Sequence, residues 1–254
     1  MRRDIDDALK GWPHDPEPGE ILAREVCACD GRHVLQVRVE LGILQLEIEG
    51  RPDGNRPHGH PSYLAYLRER LIQCHRAAGE VARLNPEQCA EVDREFYQYY
   101  HRRVAWLTLR RYPMAVRDAD HTLALMDLVA RHGPDADYIL HHEKYRGLVL
   151  FHRTQAATLG SLEARNPEEA IDAVRQGIAR LTAHWRAWSR EREESEIPDE
   201  ALIEQLQKLE ADIRHSFAVD KTLQEQLDEA VAIEDYEKAA RIRDQMRSRG
   251  QECP

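Results

Sequence analysis

Residues 223–246 read Leu223-Gln-Glu-Gln-Leu-Asp-Glu-Ala-Val-Ala-Ile-Glu-Asp-Tyr-Glu-Lys-Ala-Ala-Arg-Ile-Arg-Asp-Gln-Met246, and this stretch decides the end of the fold. Leu223, Leu227, Ala230 and Val231 recur at i, i+4, i+7 and i+8, the apolar stripe of one short helix. Asp235 is placed to cap a second helix, whose face returns at Tyr236, Ala239, Ala240, Arg243 and Met246. Ala230, Ala239 and Ala240 are small enough for two backbones to approach closely. The expected object is an αα-hairpin of about 30 residues.

The combination of Leu227, the Asp235-Tyr236-Glu237 turn, Ala239-Ala240 and Arg243-Asp244 resembles the UVR motif, the C-terminal helical hairpin of the excision-repair proteins UvrB and UvrC. Related hairpins occur in protease-regulating proteins. The resemblance implies docking on a second copy of the hairpin or on a partner's copy, and it implies no catalysis. The expected contact set is Leu223, Leu227, Val231, Tyr236 and Met246, with Arg243 and Asp244 setting register through charge pairs. A lone hairpin buries too little to stand alone, so it must dock on something.

Outward from the hairpin, composition bounds the rest. The chain has 254 residues, 42% hydrophobic and 32% charged, with a formal net charge of −10. That is enough apolar material for a core beneath a well-solvated surface. The acidity opposes direct binding of bare nucleic acid, which needs a concentrated cationic surface. Five cysteines at 27, 29, 74, 89 and 253 are odd in number and scattered, so they form no disulfide framework. Cys27-Ala-Cys29 is too closely spaced for the usual zinc knuckle and reads as a buried thiol pair on one face of a strand. With no signal-peptide core and no apolar run long enough to span a bilayer, the expected location is cytoplasmic.

Residues 1–20 read as an extended strap anchored by Trp12, with Pro13, Pro16 and Pro18 keeping it out of regular structure. Residues 21–50 change period. Strands are expected over 21–29, 33–41 and 43–49, turned at Asp30-Gly31 and broken at Gly42, giving an antiparallel three-stranded meander. Arg38, Glu40, Gln45, Glu47 and Glu49 mark one polar face, so the other needs a helix. The Gly/Pro-rich segment 50–61 must be a loop. It presents Arg51, Arg56, His58 and His60, which read either as an anion-binding loop or as a connector whose charges satisfy neighbouring groups. His58-Gly-His60 lacks further ligands for a metal.

From residue 63 the chain is helical almost to its end. One helix over 63–84 carries Leu64, Leu67, Leu71, Ile72 and Ala78 on its face. Asn85-Pro86 starts another that runs to about residue 110. Residues 111–123 align with 166–178, matching Ala115 with Ala170, Val116 with Ile171, Ala119 with Val174 and Leu123 with Ile178. Each segment follows a helix, the second spanning 138–164. This pattern resembles divergent tetratricopeptide repeats, although the 55-residue offset and Arg103 and Thr158 at small-residue slots depart from them. Residues 189–218 form a charged linker and a connecting helix bearing Leu202, Ile203, Leu206, Leu209 and Ile213.

No Gly-rich nucleotide cradle, no nucleophile elbow and no metal spacing emerges, so no catalytic residue, cofactor or metal is assigned. His141-His142 diverge by about 100° on a helix and cannot share one ion unaided. A concave helical array would instead line a groove with Tyr99, Arg103, Trp106, Tyr145, Arg146 and Arg153. The expected fold is mainly α with a small N-terminal antiparallel β-meander, a repeat-like helical bundle over 62–188 and a hairpin over 219–249. The expected function is a non-enzymatic adaptor that binds another protein or itself, without nucleic acid or membrane. The alternatives are a DNA-linked role in excision repair and a small anion-binding role at the 50–61 loop.

Overall fold

The computed structural model describes residues 5–15, 21–78, 82–188 and 199–251. The linker expected over 189–198 and the strap's Pro16 and Pro18 lie outside the described residues. The chain divides into two compact units, Met1–Ala156 and Ala157–Pro254. The boundary falls within a helix, inside the stretch read from sequence as one helical body.

The first unit begins with a single turn, α1 (Asp6–Leu9), and then β1 (Ala23–Cys27), β2 (His33–Val39) and β3 (Gly42–Glu47). These strands form an antiparallel sheet in the order β1-β2-β3, the expected meander. Leu35 pairs with Glu25 and Leu46, and Val37 pairs with Ala23 and Leu44. Leu35, Val37 and Leu46 form a buried face, and α3 packs against β1 and β2. The opposite face carries Arg24, Gln36 and Arg38, since side chains alternate along a strand. The N-terminal segment lies here. The Arg24 guanidinium sits 4.0 Å over the Trp12 ring and donates to the Ala8 carbonyl at 2.9 Å, and Arg38 Nε donates to the Trp12 carbonyl at 3.2 Å. The segment around Trp12 is thus held by two arginines of the sheet. The buried thiol pair does not form: β1 ends at Cys27, so the strand alternation never reaches Cys29, and both thiols are exposed.

The helices of this unit are α2 (Tyr63–Ala78), α3 (Pro86–Thr108), α4 (Tyr112–His132), α5 (Ala136–Glu143) and most of α6 (Arg146–Glu163). The start of α3 is as read from sequence: Asn85 accepts from Gln88 N, the Gln88 side chain accepts in return from Asn85 N, and Pro86 stands at the first helical position. Leu64, Leu67, Leu71, Val92, Leu125 and Val129 form one buried cluster. Each fully buried Leu contributes about 1.5–3 kcal/mol. Ile72, expected on the same face, is 54% exposed, because the stripe of α2 is one residue narrower than its apolar run. The helix expected over 138–164 is two helices, α5 and α6, interrupted at Lys144-Tyr145.

The second unit contains the end of α6, then α7 (Pro167–Trp188), α8 (Asp199–Phe217), α9 (Leu223–Ala232) and α10 (Tyr236–Gln251). α7 and α8 pack together through Ala170, Ile171 and Ile213, with Leu162, Leu209 and Val219 around them. α9 and α10 form the expected hairpin. Among the described residues no helix is long and apolar enough to cross a membrane.

Candidate functional sites: a hairpin tip and an aromatic cavity

Thr222 caps α9 in a capping box with Glu225, and Asp235 caps α10 by accepting from Lys238 N at 3.0 Å. The inner face of the hairpin is Ala230, Ala239 and Ile242, with Leu223, Leu227 and Met246 partly buried around them. Ile242 was missed in the sequence because the charged pair Arg241 and Arg243 flanks it. Among the described residues Ile242 is the one large side chain buried here, worth about 1.5–3 kcal/mol, so the hairpin needs support elsewhere.

That support is at its base. Thr222 Oγ1 donates to Asp172 Oδ1 at 2.7 Å, and Leu223 N donates to Glu168 Oε2 at 3.1 Å. Glu225 pairs with Arg214 at 2.8 Å and with Arg175 at 3.1 Å. The base is thereby tied to α7 and α8. Ten residues of α9 carry the chain about 15 Å to the other end. There Val231, Ile233 and Tyr236 are 52%, 70% and 67% exposed. The structure thus divides the contact set read from sequence. Leu223, Leu227 and Met246 pack within the hairpin, while Val231 and Tyr236 stand outside it. Arg243 and Asp244 are exposed on α10.

The first unit holds a different kind of site. α3 presents Phe96, Tyr100 and Arg103 at i, i+4 and i+7, one helical face. Tyr145 with Leu148 and Val149 of α6 face them, and α5 contributes His141 and His142. Together with Asp93, Tyr97 and His101 they enclose a cavity of about 450 Å³, within the range of small-molecule sites. His142 is held by the Tyr138 carbonyl at 3.1 Å and by Asp93 at 3.0 Å, and burial pushes its pKa down. His101 is likewise lowered by burial, and its buried Nε2 has no hydrogen-bond partner.

Arg103 lies at this cavity and is 1% exposed. Its Nη1 donates to Thr122 Oγ1 at 3.0 Å, its Nε lies 3.4 Å from His152 Nδ1, and the Tyr100 ring is 5.7 Å away. Among the described residues no ion pair of 4.0 Å or less joins it to a carboxylate. Burial pulls its pKa down to about 10. Burial, followed by the Arg103 charge, pulls His152 down to about 3.

Of the groove residues read from sequence, Arg103 and Tyr145 line this cavity. The others do not. Tyr99 is buried and stacks on His121 at 3.7 Å, and Trp106 is 2% exposed. Arg146 pairs with Glu143 and with Asp127, and Arg153 pairs with Asp120. Phe96, His101 and Leu148 are not among the groove residues read from sequence, although the i, i+4, i+7 spacing of Phe96, Tyr100 and Arg103 carries the signal.

The neighbouring face of α3 absorbs the candidate loop. Arg51 is 3% exposed, bonded to Glu91 at 2.9 Å and to Gln98 at 3.2 Å, with Asp53 at 3.4 Å. Its charge is spent on the protein's own carboxylates, which is the connector role and not that of an anion ligand. Glu95, fully buried, accepts from Tyr63 N at 2.5 Å and Leu64 N at 2.9 Å, so it caps α2, and it also meets His121 at 2.9 Å. Arg102 makes two bonds to Asp118, at 2.7 and 2.8 Å, and reaches the Glu47 and Gly50 carbonyls. Arg56 is exposed, His58 stacks on Tyr66 at 4.0 Å, and His60 lies 3.7 Å from Glu69. Among the described residues no group of three or more His, Cys, Asp or Glu side chains is arranged to hold a metal ion.

The second unit is therefore a helical pair carrying a small αα-hairpin with an apolar tip. Residues 221–248 match the family model of the UvrB/uvrC motif, UVR, which agrees with the resemblance drawn from Leu227, Asp235-Tyr236-Glu237 and Arg243-Asp244. No curated protein and no solved structure matches the chain.

Proposed function

We propose that this protein is a non-enzymatic adaptor that binds another protein, or a second copy of itself, through the tip of its UVR hairpin. The observation that carries the reading is the exposure of Val231, Ile233 and Tyr236 together at the turn, on a hairpin whose base is already tied down. Three large apolar side chains at one turn gain little by facing water, and burying the part still exposed against a partner would release about 1–2 kcal/mol each. Arg243 and Asp244, exposed on α10, are available to orient that contact by charge. The free thiols Cys27, Cys29 and Cys89 favour a reducing compartment, the cytoplasm.

The test is a double substitution, Ile233→Asp with Tyr236→Ala, compared with the unaltered protein by light scattering for self-association and by affinity capture for a foreign partner. Deleting residues 219–249 is a poorer test, because it also removes the Thr222, Leu223 and Glu225 groups bonded to Asp172, Glu168 and Arg214. The double variant is expected to keep its stability within about 0.5 kcal/mol, since both sites are exposed. It should lose the dimer or the captured partner. A dimer or partner retained at full strength sinks the hairpin-tip reading.

A further inference from the structure

The cavity between α3, α5 and α6 is unrelated to the hairpin and asks for a ligand of its own. Its walls are the rings of Phe96, Tyr97, Tyr100 and Tyr145 with the aliphatic Leu148 and Val149. Its one buried cation is Arg103. A guanidinium carries five donors, and the protein offers this one a threonine hydroxyl and a distant imidazole nitrogen. Buried charges in folded proteins are paired, and the adjacent Arg102 shows the paired arrangement with Asp118. Arg103 lacks that carboxylate and borders an apolar space large enough to admit one.

We propose that this cavity binds a small organic monocarboxylate with an apolar, preferably aromatic, body, its carboxylate on Arg103 and its body among Phe96, Tyr100, Tyr145 and Leu148. One negative charge is the complement of one guanidinium. Burial holds His101 and His152 neutral near pH 7, so they add hydrogen bonding and no charge. Asp93, 53% exposed and bonded to His142, adds a negative charge at the edge, which disfavours a dianion. A phosphate ester would bring a second charge with nothing to meet it. The unpartnered His101 Nε2 offers a further polar contact to a hydroxyl or ring nitrogen on the ligand body.

The experiment titrates the full chain with phenylacetate, indole-3-acetate and octanoate by calorimetry, beside phenylacetamide and phenyl phosphate. At least one carboxylate should bind at a single site, and at least tenfold more tightly than its uncharged or phosphorylated counterpart. Arg103→Met should weaken binding at least tenfold with the melting temperature preserved. Leu148→Trp, which fills the cavity and leaves the guanidinium in place, should abolish binding. If Arg103→Met does not fold, the acid–amide difference and Leu148→Trp decide the matter on their own. Equal binding of phenylacetate and phenylacetamide overturns the proposal, as does tighter binding of phenyl phosphate. Absence of binding by all three acids up to about 10 mM also overturns it.

Discussion

Arg102 and Arg103 are neighbours on α3, each 1% exposed, and they sit in opposite electrostatic situations. Arg102 faces the sheet and α4, where Asp118 grips it with two bonds and two backbone carbonyls take two more of its protons. Burial works against its charge, yet the Asp118 carboxylate holds its pKa above the ordinary arginine value. Arg103 faces the aromatic cavity with no carboxylate in ion-pair contact among the described residues, and burial, only partly offset by the Asp118 charge, brings it down to about 10. One face of the helix uses a buried charge to lock the first unit together. The other keeps a buried charge in reserve. A buried cation is structural when its counter-charge comes from the same chain; where no ion pair is made, a ligand can supply it.

Three measurements would break or sharpen this contrast. The largest effect belongs to Arg102→Met, which leaves Asp118 buried and unpaired. It should cost roughly 3–5 kcal/mol, read from the urea midpoint. The second is the acid response of His152. Its pKa falls from 6.5 unfolded to about 3 folded, so below pH 6.5 the unfolded chain takes up a proton that the folded chain refuses. The stability this histidine contributes is present above pH 6.5 and is lost as pH falls toward about 3, by at most about 1.4 kcal/mol per pH unit. His152→Gln should flatten that part of a stability–pH curve. A slope unchanged by the substitution would show that His152 is not shielded at the Arg103 face. The smallest effect belongs to Arg103→Met. Removing an unpaired buried charge in favour of an apolar side chain of similar length should leave stability within about 1 kcal/mol, or raise it. Equal losses for Arg102→Met and Arg103→Met would erase the distinction between the two faces.

The hairpin and the cavity differ also in how legible they were. The hairpin was readable because every cue is local. Leu223, Leu227 and Ala230 lie within two turns of one another, and the Asp235 cap sits beside its helix. The meander was legible for the same reason, since alternation and the Asp30-Gly31 turn need no distant partner. The polar stripe Glu91, Glu95, Gln98 and Arg102 was periodic too, at i, i+4, i+7 and i+11. In a sequence it looks like a solvated helix face. Glu95 is nonetheless fully buried, because the N-terminus of α2 and His121 converge on it from other parts of the chain.

The sequence by itself therefore determined the meander, the hairpin with its UVR pattern, the Asn85-Pro86 helix start and the largely helical character of the rest. Each depends on contacts over a few residues, where spacing and capping chemistry decide the outcome. Only the tertiary structure decided that Arg51 is a buried connector, that Cys27 and Cys29 are exposed, and that Tyr236 points out while Ile242 points in. It alone decided that Arg102 is paired and Arg103 is not. Burial and ion pairing depend on which distant segment arrives at a given face, and adjacent residues with the same side chain carry no trace of that difference.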